Sequence, residues 1–426
     1  MKLELGYIDI KDIKFSDISK VENGVLHVNA KELEAIVLED EHLKAVSFDI
    51  AKPGESVRIT PVKDVIEPRA KVEGVGDMFP GVITKVATVG SGITHVLRGA
   101  AVVTVGKIVG FQEGIIDMTG PGADYTPFSK TNNLVVDFTP REGLTAHEHE
   151  KAIRFAGLKI AYVLGKLGID AKPDEVKTYD FPSVMEGIKA YPELPRVGYV
   201  LMLQSQGLLH DTYVYGVDMK QSLTTMLSPT EVMDGAILSG NCVSACDKNT
   251  TYHHQNNPVI EDLFSEHGKT LNFAAMIITN ENVYLADKER SSDWSAKLVD
   301  YLGLDGVIIS QEGFGNPDTD LIMNCTKIEK TGTHTVIITD EYAGRDGTSQ
   351  SLADADPLAN ALVTAGNANE LITLPKLDKV IGTLDYTEKI AGGFAGSIDG
   401  GGNITVEIQA ITGATNELGF SRLSAR

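Results

Sequence analysis

The last third of the sequence alternates short apolar runs with amphipathic segments, and this alternation limits the possible folds more than any other feature. The predicted elements are, in order, strand 271–279, helix 292–302, strand 306–310, a helix beginning at Asn316-Pro317-Asp318, strand 333–340, a helix beginning at Asp356-Pro357 and strand 371–374. A strand, a helix and a second strand at this spacing form a βαβ unit with parallel strands. The pattern therefore predicts a doubly wound, mostly parallel α/β sheet.

The helix predicted after strand 306–310 carries the clearest start signal. Asn316 suits the N-cap, Pro317 suits the first helical position, and Asp318 interacts favourably with the positive end of the helix dipole. Cys325 falls on the apolar face of the same helix, so we expect it to be a buried core thiol.

The first third of the sequence favours β-structure instead. Apolar or alternating runs of strand length recur at 3–10, 45–50, 56–60, 100–109 and 134–138. Glycine and proline separate these runs, as expected for turns, and a helical period begins near residue 148. We therefore predict a β-rich N-terminal domain spanning 1–141, followed by an α/β domain spanning 142–426.

The charge balance excludes one class of partner. The 426 residues include 59 acidic and 38 basic side chains, which gives a formal net charge of −21. Nucleic-acid binding requires a basic patch, and no run of Lys and Arg supplies one. We therefore expect no nucleic-acid partner, and a small anionic substrate would need a local positive site.

The distribution of apolar residues bears on localisation. The first 15 residues mix charged and apolar types without an apolar run of signal-peptide length, and no segment approaches the ~20 apolar residues that span a bilayer. The three cysteines, Cys242, Cys246 and Cys325, fit a reducing compartment and do not form a disulfide scaffold. We expect a cytoplasmic protein with no membrane span.

Polar side chains follow the predicted strands of the parallel sheet. Glu281 follows the first strand, Glu312 the second, and Arg345 comes shortly after the third. Ligands of open α/β sheets bind outside the carboxyl ends of the strands, so Glu312 and Arg345 are candidates for substrate binding. Arg345 could hold a substrate carboxylate through two hydrogen bonds, or it could form a salt bridge with Asp340 or Asp346. Each residue taken alone could equally be a solvated strand end or a helix cap.

The small, polar segment 240–249 contains two of the cysteines. Three interpretations compete: a tight turn with incidental cysteines, a redox or metal-binding pair formed by Cys242 and Cys246, and an activated Cys242 nucleophile. The side chain of Asn241 can stress or polarise its own peptide bond, but the tight turn with incidental cysteines is the leading interpretation of the residues alone. The residues alone leave these alternatives open.

Metal and nucleotide sites are not expected. His147 and His149 are two residues apart and do not share a helix face, and His253 and His254 are adjacent, so neither pair suits joint ligation. The glycine at the start of segment 240–249 is not followed by the spacing of a dinucleotide fingerprint, and no phosphate-binding loop is present.

Several long runs of this sequence are distinctive: GKIVGFQEGIIDMTGPGADYTPFSK (106–130), QGLLHDTYVYGVD (206–218), GNCVSACDKN (240–249), ITNENVYLADKERSS (278–292) and SQEGFGNPDTDLIMN (310–324). They resemble the component B proprotein of the glycine, sarcosine and betaine reductases. The resemblance extends over nearly the whole chain, and the proline reductase proprotein is a more distant relative. Runs of this length are far more specific than a short motif.

The resemblance implies a self-cleaving precursor. The family's precursor is cut before a cysteine that matches Cys242, so the cut falls between Asn241 and Cys242 and gives subunits 1–241 and 242–426. The new N-terminus becomes a pyruvoyl group, derived from Cys242, as the cofactor. The implied partners are a selenocysteine-containing component B subunit, selenoprotein A and component C, and together they cleave a C–N bond reductively and yield acetyl phosphate.

The implied cleavage can be written as a sequence of chemical steps. The Cys242 thiol attacks the preceding carbonyl, and elimination and hydrolysis then leave the pyruvoyl cap. A general base must take the Cys242 α-proton, and His210, Asp247 and His253 are candidates by type or by proximity in the sequence. The finished carbonyl could condense with a primary amine and weaken its C–N bond.

The substrate and two rival functions stay open at this stage. The substrate is a small amino acid or an N-methylated one, and betaine, which has no N–H, would favour an aromatic cage for which Tyr213, Tyr215 and Tyr252 are candidates by type. One rival is a thiol–disulfide protein that uses Cys242 and Cys246. The other is a non-catalytic subunit that docks the selenoprotein partners.

Overall fold

The computed structural model describes residues 1–206, 209, 212–240 and 249–414, together with the backbone of 424–425. The α-helices of the described residues are α1 (Ala30–Val37), α2 (Ala146–Lys166), α3 (Val184–Ala190), α4 (Pro229–Met233), α5 (Thr251–Gln255), α6 (Pro258–Glu266), α7 (Leu285–Leu302) and α8 (Asn316–Glu329). Short 3₁₀ turns occur at Pro121–Tyr125, Pro127–Lys130, Met219–Gln221 and Ile408–Ala410. 

The same residues form strands in several sheets. The strands are β1 (Lys2–Asp9), β2 (Asp12–Phe15), β3 (Lys20–Glu22), β4 (Val25–Val28), β5 (Leu43–Ala51), β6 (Val57–Ile66), β7 (Arg69–Glu73), β8 (Gly92–Arg98), β9 (Ala100–Gly106), β10 (Gly114–Asp117), β11 (Asn132–Pro140), β12 (Glu175–Asp180), β13 (Arg196–Leu203), β14 (Tyr213–Val214), β15 (Val217–Asp218), β16 (Thr225–Leu227), β17 (Ile237–Leu238), β18 (Asn272–Asn280), β19 (Gly306–Ser310), β20 (His334–Glu341), β21 (Leu362–Asn367), β22 (Leu371–Leu374), β23 (Lys379–Gly382), β24 (Ile404–Glu407) and β25 (Ser424–Ala425). The fold is therefore mixed α/β.

A seven-stranded, mostly parallel sheet is formed by strands from residue 196 onward, as the sequence predicts for the α/β part of the chain. Its order is β16-β18-β13-β19-β20-β21-β25, and only the two edge strands are antiparallel to their neighbours. Numbered along the chain, the five parallel strands run 2-1-3-4-5. This order reverses between β13 and β19, and such a topological switch point opens a crevice at the carboxyl ends of the two strands.

Both faces of the parallel sheet are covered. One face packs Val200, Met202 and Ile277 against α7 and α8, and Cys325 is buried there as predicted. The opposite face packs Tyr199, Leu201 and Ile278 against α6 and against β1 of another sheet. Because α6 precedes β18 while α7 and α8 follow it, the chain winds in both directions from the centre, which is the doubly wound arrangement.

The N-terminal strands pair with later parts of the chain. One sheet has the order β12-β1-β8-β7, and another has the order β10-β6-β9-β11-β5 with β23 paired to β6. Two of these strands, β12 and β23, come from beyond residue 141. The division into domains 1–141 and 142–426 remains a prediction.

The helix predicted over 292–302 begins earlier, at Leu285, and two further predicted elements are wrong. No helix begins at Asp356-Pro357; the Asp356 carboxylate accepts the backbone N–H of Leu358 in a turn, and β21 begins at Leu362, too soon for a helix to fit. The run Leu371–Leu374 pairs with β24 in a separate two-stranded sheet, and Leu362–Asn367 supplies the fifth parallel strand instead.

Helix α8 begins close to its predicted start. Asn316 is its first residue, and Gly315, rather than Asn316, occupies the N-cap position. The Asp318 carboxylate accepts the N–H of Gly315 at 3.2 Å, so it satisfies one of the free donors at this helix end. Among the described residues, no helix combines the length and the apolar character needed to cross a membrane.

Candidate active site

The switch point between β13 and β19 contains a buried carboxylate. Glu312 follows the end of β19 and is fully buried. Its Oε2 accepts hydrogen bonds from the backbone N–H of Gln204, just after β13, at 2.6 Å and from the hydroxyl of Thr212 at 2.7 Å. Its backbone N–H donates to Glu281 Oε1 at 2.9 Å. The predicted substrate-binding residue therefore lies in the crevice where ligands of such sheets bind.

Helix α5 places an imidazole against this carboxylate. Nε2 of His254 lies 3.1 Å from Oε1 of Glu312, and both side chains are fully buried. Burial acts to raise the pKa of Glu312, but the contact with His254 and the hydrogen bonds from Gln204 and Thr212 outweigh it, so the pKa lies below its ordinary value. Glu312 is therefore ionised at neutral pH.

The two chain ends that flank segment 241–248 lie at the same edge. The hydroxyl of Ser239 donates to the carbonyl of Asn249, and the N–H of Asn249 points to Glu312 Oε1 at 3.4 Å. The N–H of Ser239 donates to the hydroxyl of Thr251 at 3.1 Å. The described residues on both sides of the segment that contains Cys242 thus lie at the edge formed by Glu312.

A second buried carboxylate fixes this arrangement from the N-terminal half of the chain. Asp64 of β6 accepts the N–H of Thr251 at 2.9 Å and its hydroxyl at 2.7 Å. Burial raises the pKa of Asp64 to about 7, and the hydrogen bonds from Thr251 only partly oppose this. Asp64 therefore fixes Thr251 through two hydrogen bonds, and the Thr251 hydroxyl in turn accepts the N–H of Ser239.

His253, one of the predicted general bases, forms a hydrogen bond at the start of its own helix. Its Nδ1 accepts the backbone N–H of Thr250 at 3.0 Å and so helps to cap α5. Burial, followed by the neighbouring His254, lowers the pKa of His253 to about 3, so its ring is neutral. Its predicted role in cleavage remains a prediction.

Four predicted site residues lie outside the described residues: the cleavage pair, Asn241 and Cys242, and the other two predicted general bases, Asp247 and His210.

The tyrosines proposed for an aromatic cage contact groups of the protein itself. The ring of Tyr213 lies 4.2 Å from the guanidinium carbon of Arg154. The Arg154 guanidinium also donates a hydrogen bond to the Tyr213 hydroxyl at 3.3 Å. Tyr215 donates to Glu231 at 2.6 Å, and Tyr252 packs edge-on against Phe128. In the part of the chain that the structure describes, the rings of these three tyrosines do not contact one another.

Arg345 lies in an ion pair that the sequence analysis did not foresee. Its Nε donates to Glu407 Oε1 at 2.7 Å, and its guanidinium stacks on the ring of Phe394 at 4.2 Å. Among the described residues, Arg345 therefore pairs with Glu407 and not with Asp340 or Asp346, the predicted alternatives. Glu407 is 62 residues away in the sequence, so local reasoning had no means of finding this pair.

Comparison with known proteins identifies the family. The family of glycine/sarcosine/betaine reductase component B subunits matches residues 1–426. The chain belongs to this family. It is 66% identical to the glycine reductase complex component B subunits alpha and beta of Acetoanaerobium sticklandii, over 100% of both chains. It is 58% identical to the sarcosine reductase complex component B subunit alpha of Peptoclostridium acidaminophilum over 100% of both chains, and 40% identical to the betaine reductase complex component B subunit alpha of that organism over 99% of this chain and 98% of the relative.

No solved structure matches the chain. The family match therefore gives the class of complex, a reductase with several components. The candidate site residues must be identified from the geometry of this chain. The sequence analysis missed His254, Thr251 and Asp64. His254 was considered only as a metal ligand with His253, and Asp64 sits inside a ten-residue strand whose side chains are all buried. This strand also contains Arg58 and Lys63, so the sequence does not mark it as buried, and only the folded structure shows that the Asp64 carboxylate needs a partner.

Proposed function

We propose that this chain is the substrate-activating subunit of a glycine reductase complex and that it cleaves itself between Asn241 and Cys242 to form a pyruvoyl group. The observation that carries the proposal is the 66% identity, end to end, with a protein whose name covers two subunits, alpha and beta, in one chain of matching length. A chain that yields two subunits must be cut, and the segment around Cys242 supplies a suitable nucleophile.

Glycine is the proposed substrate. Identity falls from 66% with a glycine reductase subunit to 58% with a sarcosine reductase subunit and 40% with a betaine reductase subunit. A primary amine also suits the proposed carbonyl, which supplies an electrophile and an electron sink when present. The placement of Tyr213 against Arg154 supports this choice, because a ring already covered by a guanidinium is poorly placed to receive a quaternary ammonium.

The residues at the switch point suit formation of such a group. Elimination from a cysteine needs a base in a site from which water is excluded, and the described edge offers the buried, ionised Glu312 with His254 beside it. Both flanks of the segment are fixed by hydrogen bonds through Ser239 and Asn249. Among the described residues, no group of three or more His, Cys, Asp or Glu side chains is arranged to hold a metal ion.

The remaining components belong to the same proposal. A selenocysteine-containing component B subunit would attack the substrate α-carbon and displace the amine, selenoprotein A would accept the resulting two-carbon unit, and component C would release it as acetyl phosphate. The proposed setting is the reducing cytoplasm, since selenol and thiol chemistry requires it. Glu312 and Arg345 remain proposed substrate contacts.

Turnover of the reconstituted complex tests the function. A binding site discriminates modestly against an added methyl group, and the proposed condensation with a primary amine increases this preference for glycine. Purified chain with its partner components should therefore convert glycine at least ten times faster than sarcosine or betaine. Cys242→Ala should abolish turnover and leave an uncut chain. Turnover unchanged in Cys242→Ala would show a docking role, and loss of turnover in Cys246→Ser with an uncut active wild type would show a thiol–disulfide role.

A further inference from the structure

We propose that an apolar strip beside the candidate site is the docking surface for the selenocysteine-containing component B subunit. The strip consists of Val283, Tyr284, Leu285, Phe314 and Tyr342. This inference rests on the proposed function, which requires that subunit to reach a substrate at the carboxyl edge of the parallel sheet. It adds which face of the chain the subunit covers and what chemistry the subunit must present there.

Three consecutive apolar side chains are exposed where α7 begins. Val283, Tyr284 and Leu285 are exposed by 54%, 72% and 59%. Soluble proteins seldom place three apolar neighbours outward unless another surface covers them, because each forgoes the free energy that burial would give. The run therefore indicates an interaction surface.

Tyr284 also occupies a position for which its own helix favours other residue types. It is the N-cap of α7 and makes no side-chain hydrogen bond there. Ser, Thr, Asp and Asn are preferred at an N-cap, because their side-chain oxygen accepts a free N–H of the first turn. A tyrosine forgoes that stabilisation and, being exposed, gains nothing from burial, so its role lies outside the fold of this chain.

Two further aromatic residues extend the strip along the sheet edge. The rings of Phe314 and Tyr342 stack at 4.1 Å, and Tyr342 remains 43% exposed. Lys288 of α7 donates to the carbonyl of Asn316 at 2.9 Å, which joins the start of α7 to the start of α8, just after Phe314. Both apolar groups therefore belong to one surface.

The strip lies directly beside the candidate site. Val283 comes two residues after Glu281, and Phe314 comes two residues after Glu312. The N–H of Glu312 donates to Glu281 at 2.9 Å, so the two acidic residues are in contact. A partner bound to the strip would therefore cover the switch point, where ligands of such sheets bind.

Unpaired carboxylates lie at the Tyr342 end of the strip. Asp346, Asp354 and Asp356 accept hydrogen bonds from groups of their own loops, and none of the three has an ion-pair partner among the described residues. Arg290 and Arg345 are each already paired with a carboxylate. The partner should therefore present Lys and Arg side chains around its apolar anchors.

A small cleft adjoins the same end of the strip. Its volume is about 240 Å³, and residues of α8 and of 350–362 line it. The N–H of Tyr342 donates to the carbonyl of Ser351, a residue of this lining, at 2.9 Å. The volume is below the roughly 300–1,000 Å³ of small-molecule sites, so a side chain of a protein partner is the better-suited occupant.

Tyr284→Ser separates docking from folding. Serine is a favoured N-cap, so the variant should unfold at the temperature of wild type or higher. Its complex with the purified selenocysteine-containing subunit should dissociate roughly tenfold faster, as expected when an interface loses an aromatic anchor. Tyr301→Ser is the matched control, because Tyr301 is exposed by 74% near the other end of the same helix. Biolayer interferometry with the immobilised full chain measures both rates.

Asp354→Lys tests the charge beside the strip. Association with the same subunit should slow by roughly tenfold at low salt, and the difference from wild type should shrink at high salt, because salt screens the charges. Glu34→Lys makes the same charge change on the exposed surface of α1 and should associate nearly as wild type does.

The outcomes separate the docking surface from the proposed function. Wild type that does not bind the subunit, or a Tyr284→Ser complex that dissociates as slowly as wild type, would overturn the proposal. Asp354→Lys that associates as wild type does would overturn the basic character of the partner. A chain that is dimeric alone and becomes monomeric in Tyr284→Ser, with subunit binding unchanged, would assign the strip to a second copy instead. Wild type that stays uncut yet binds the subunit normally would contradict the proposed function and leave the docking surface standing.

Discussion

Buried carboxylates near the candidate site differ in charge because their partners differ. Glu312 faces an imidazole and hydrogen-bond donors, which keep its pKa below the ordinary value, whereas Asp64 has mainly hydroxyl and backbone donors, and burial raises its pKa to about 7. A neutral Asp64 can still hold Thr251, because its protonated oxygen donates where the ionised one accepts. The hydrogen bonds that connect Asp64 through Thr251 to Ser239 therefore persist when Asp64 is protonated.

The raised pKa of Asp64 should make the free energy of unfolding depend on pH. The folded protein binds the Asp64 proton more tightly than the unfolded chain does, since the pKa rises from 3.8 to about 7 on folding. Its contribution to the free energy of unfolding is complete below pH 4 and is lost as pH rises through about 7. Asp64→Asn should therefore gain stability relative to wild type between pH 4 and 7, by on the order of a few kcal/mol.

Denaturant titrations of both proteins at several pH values check this. The buried His149 and His253, with pKa values of about 4 and 3, shift stability in the opposite direction, but they are common to both proteins and cancel in the difference. A wild-type–variant difference that does not change over this pH range would contradict the account.

Buried and exposed ion pairs should respond differently to loss of one partner. Arg58 and Asp117 form a fully buried, two-hydrogen-bond pair with N–O distances of 2.6 and 2.7 Å. Asp117→Asn should cost about 3–5 kcal/mol, because it leaves the Arg58 charge buried without its counter-ion. Asp287→Asn, which breaks the exposed pair with Arg290, should change the free energy of unfolding by less than about 1 kcal/mol. Equal effects of the two substitutions would be inconsistent with this explanation.

At the scale of elements, close contact between α2 and β7 depends on a glycine. A Cβ added at Gly165 would meet the carbonyl oxygen of Arg69 at 2.1 Å, which is backbone and cannot rotate away. Gly165→Ala should therefore destabilise the protein by roughly 2 kcal/mol or more, although alanine favours helix in general. Gly400→Ala, where a Cβ meets nothing within 4 Å, is the matched control. Thermal unfolding that ranks the two equally would contradict this packing.

Elements were predictable where the sequence pattern is local. The strands and helices from 271 to 340 follow from apolar periodicity and from the proline and aspartate at the start of α8. The absent helix at Asp356-Pro357 had similar start residues, but β21 follows within a few residues and leaves no room for it. The pairing of β22 with β24 depends on residues 30 or more positions apart, which no local pattern reveals.

The candidate site was predictable only in part, for the same reason. Glu312 could be placed because strand ends meet at one edge of a parallel sheet. Its contacts with His254 and Thr212 join residues 58 and 100 positions apart, and Asp64 reaches Thr251 across 187 positions. The family resemblance supplies the proposed chemistry of Cys242, whereas the contacts among Glu312, His254, Thr251 and Asp64 are seen only in the folded chain.

At the scale of the whole molecule, a cut after Asn241 would not separate the two parts. Strand β13 lies before the cut and is inserted between β18 and β19, which lie after it. Strand β23, also after the cut, pairs with β6. We predict that both fragments stay together in native mass spectrometry and separate only in denaturant. Fragments that dissociate in native buffer would contradict the shared parallel sheet.

The central claim is that Cys242 is the precursor of a pyruvoyl group, and the intact mass of the denatured protein tests it most directly. The account predicts two polypeptides, 1–241 and 242–426, with the second gaining two mass units on borohydride reduction and showing no thiol at its first residue. A single chain of 426 residues with an alkylatable Cys242, recovered from the active complex, would contradict it.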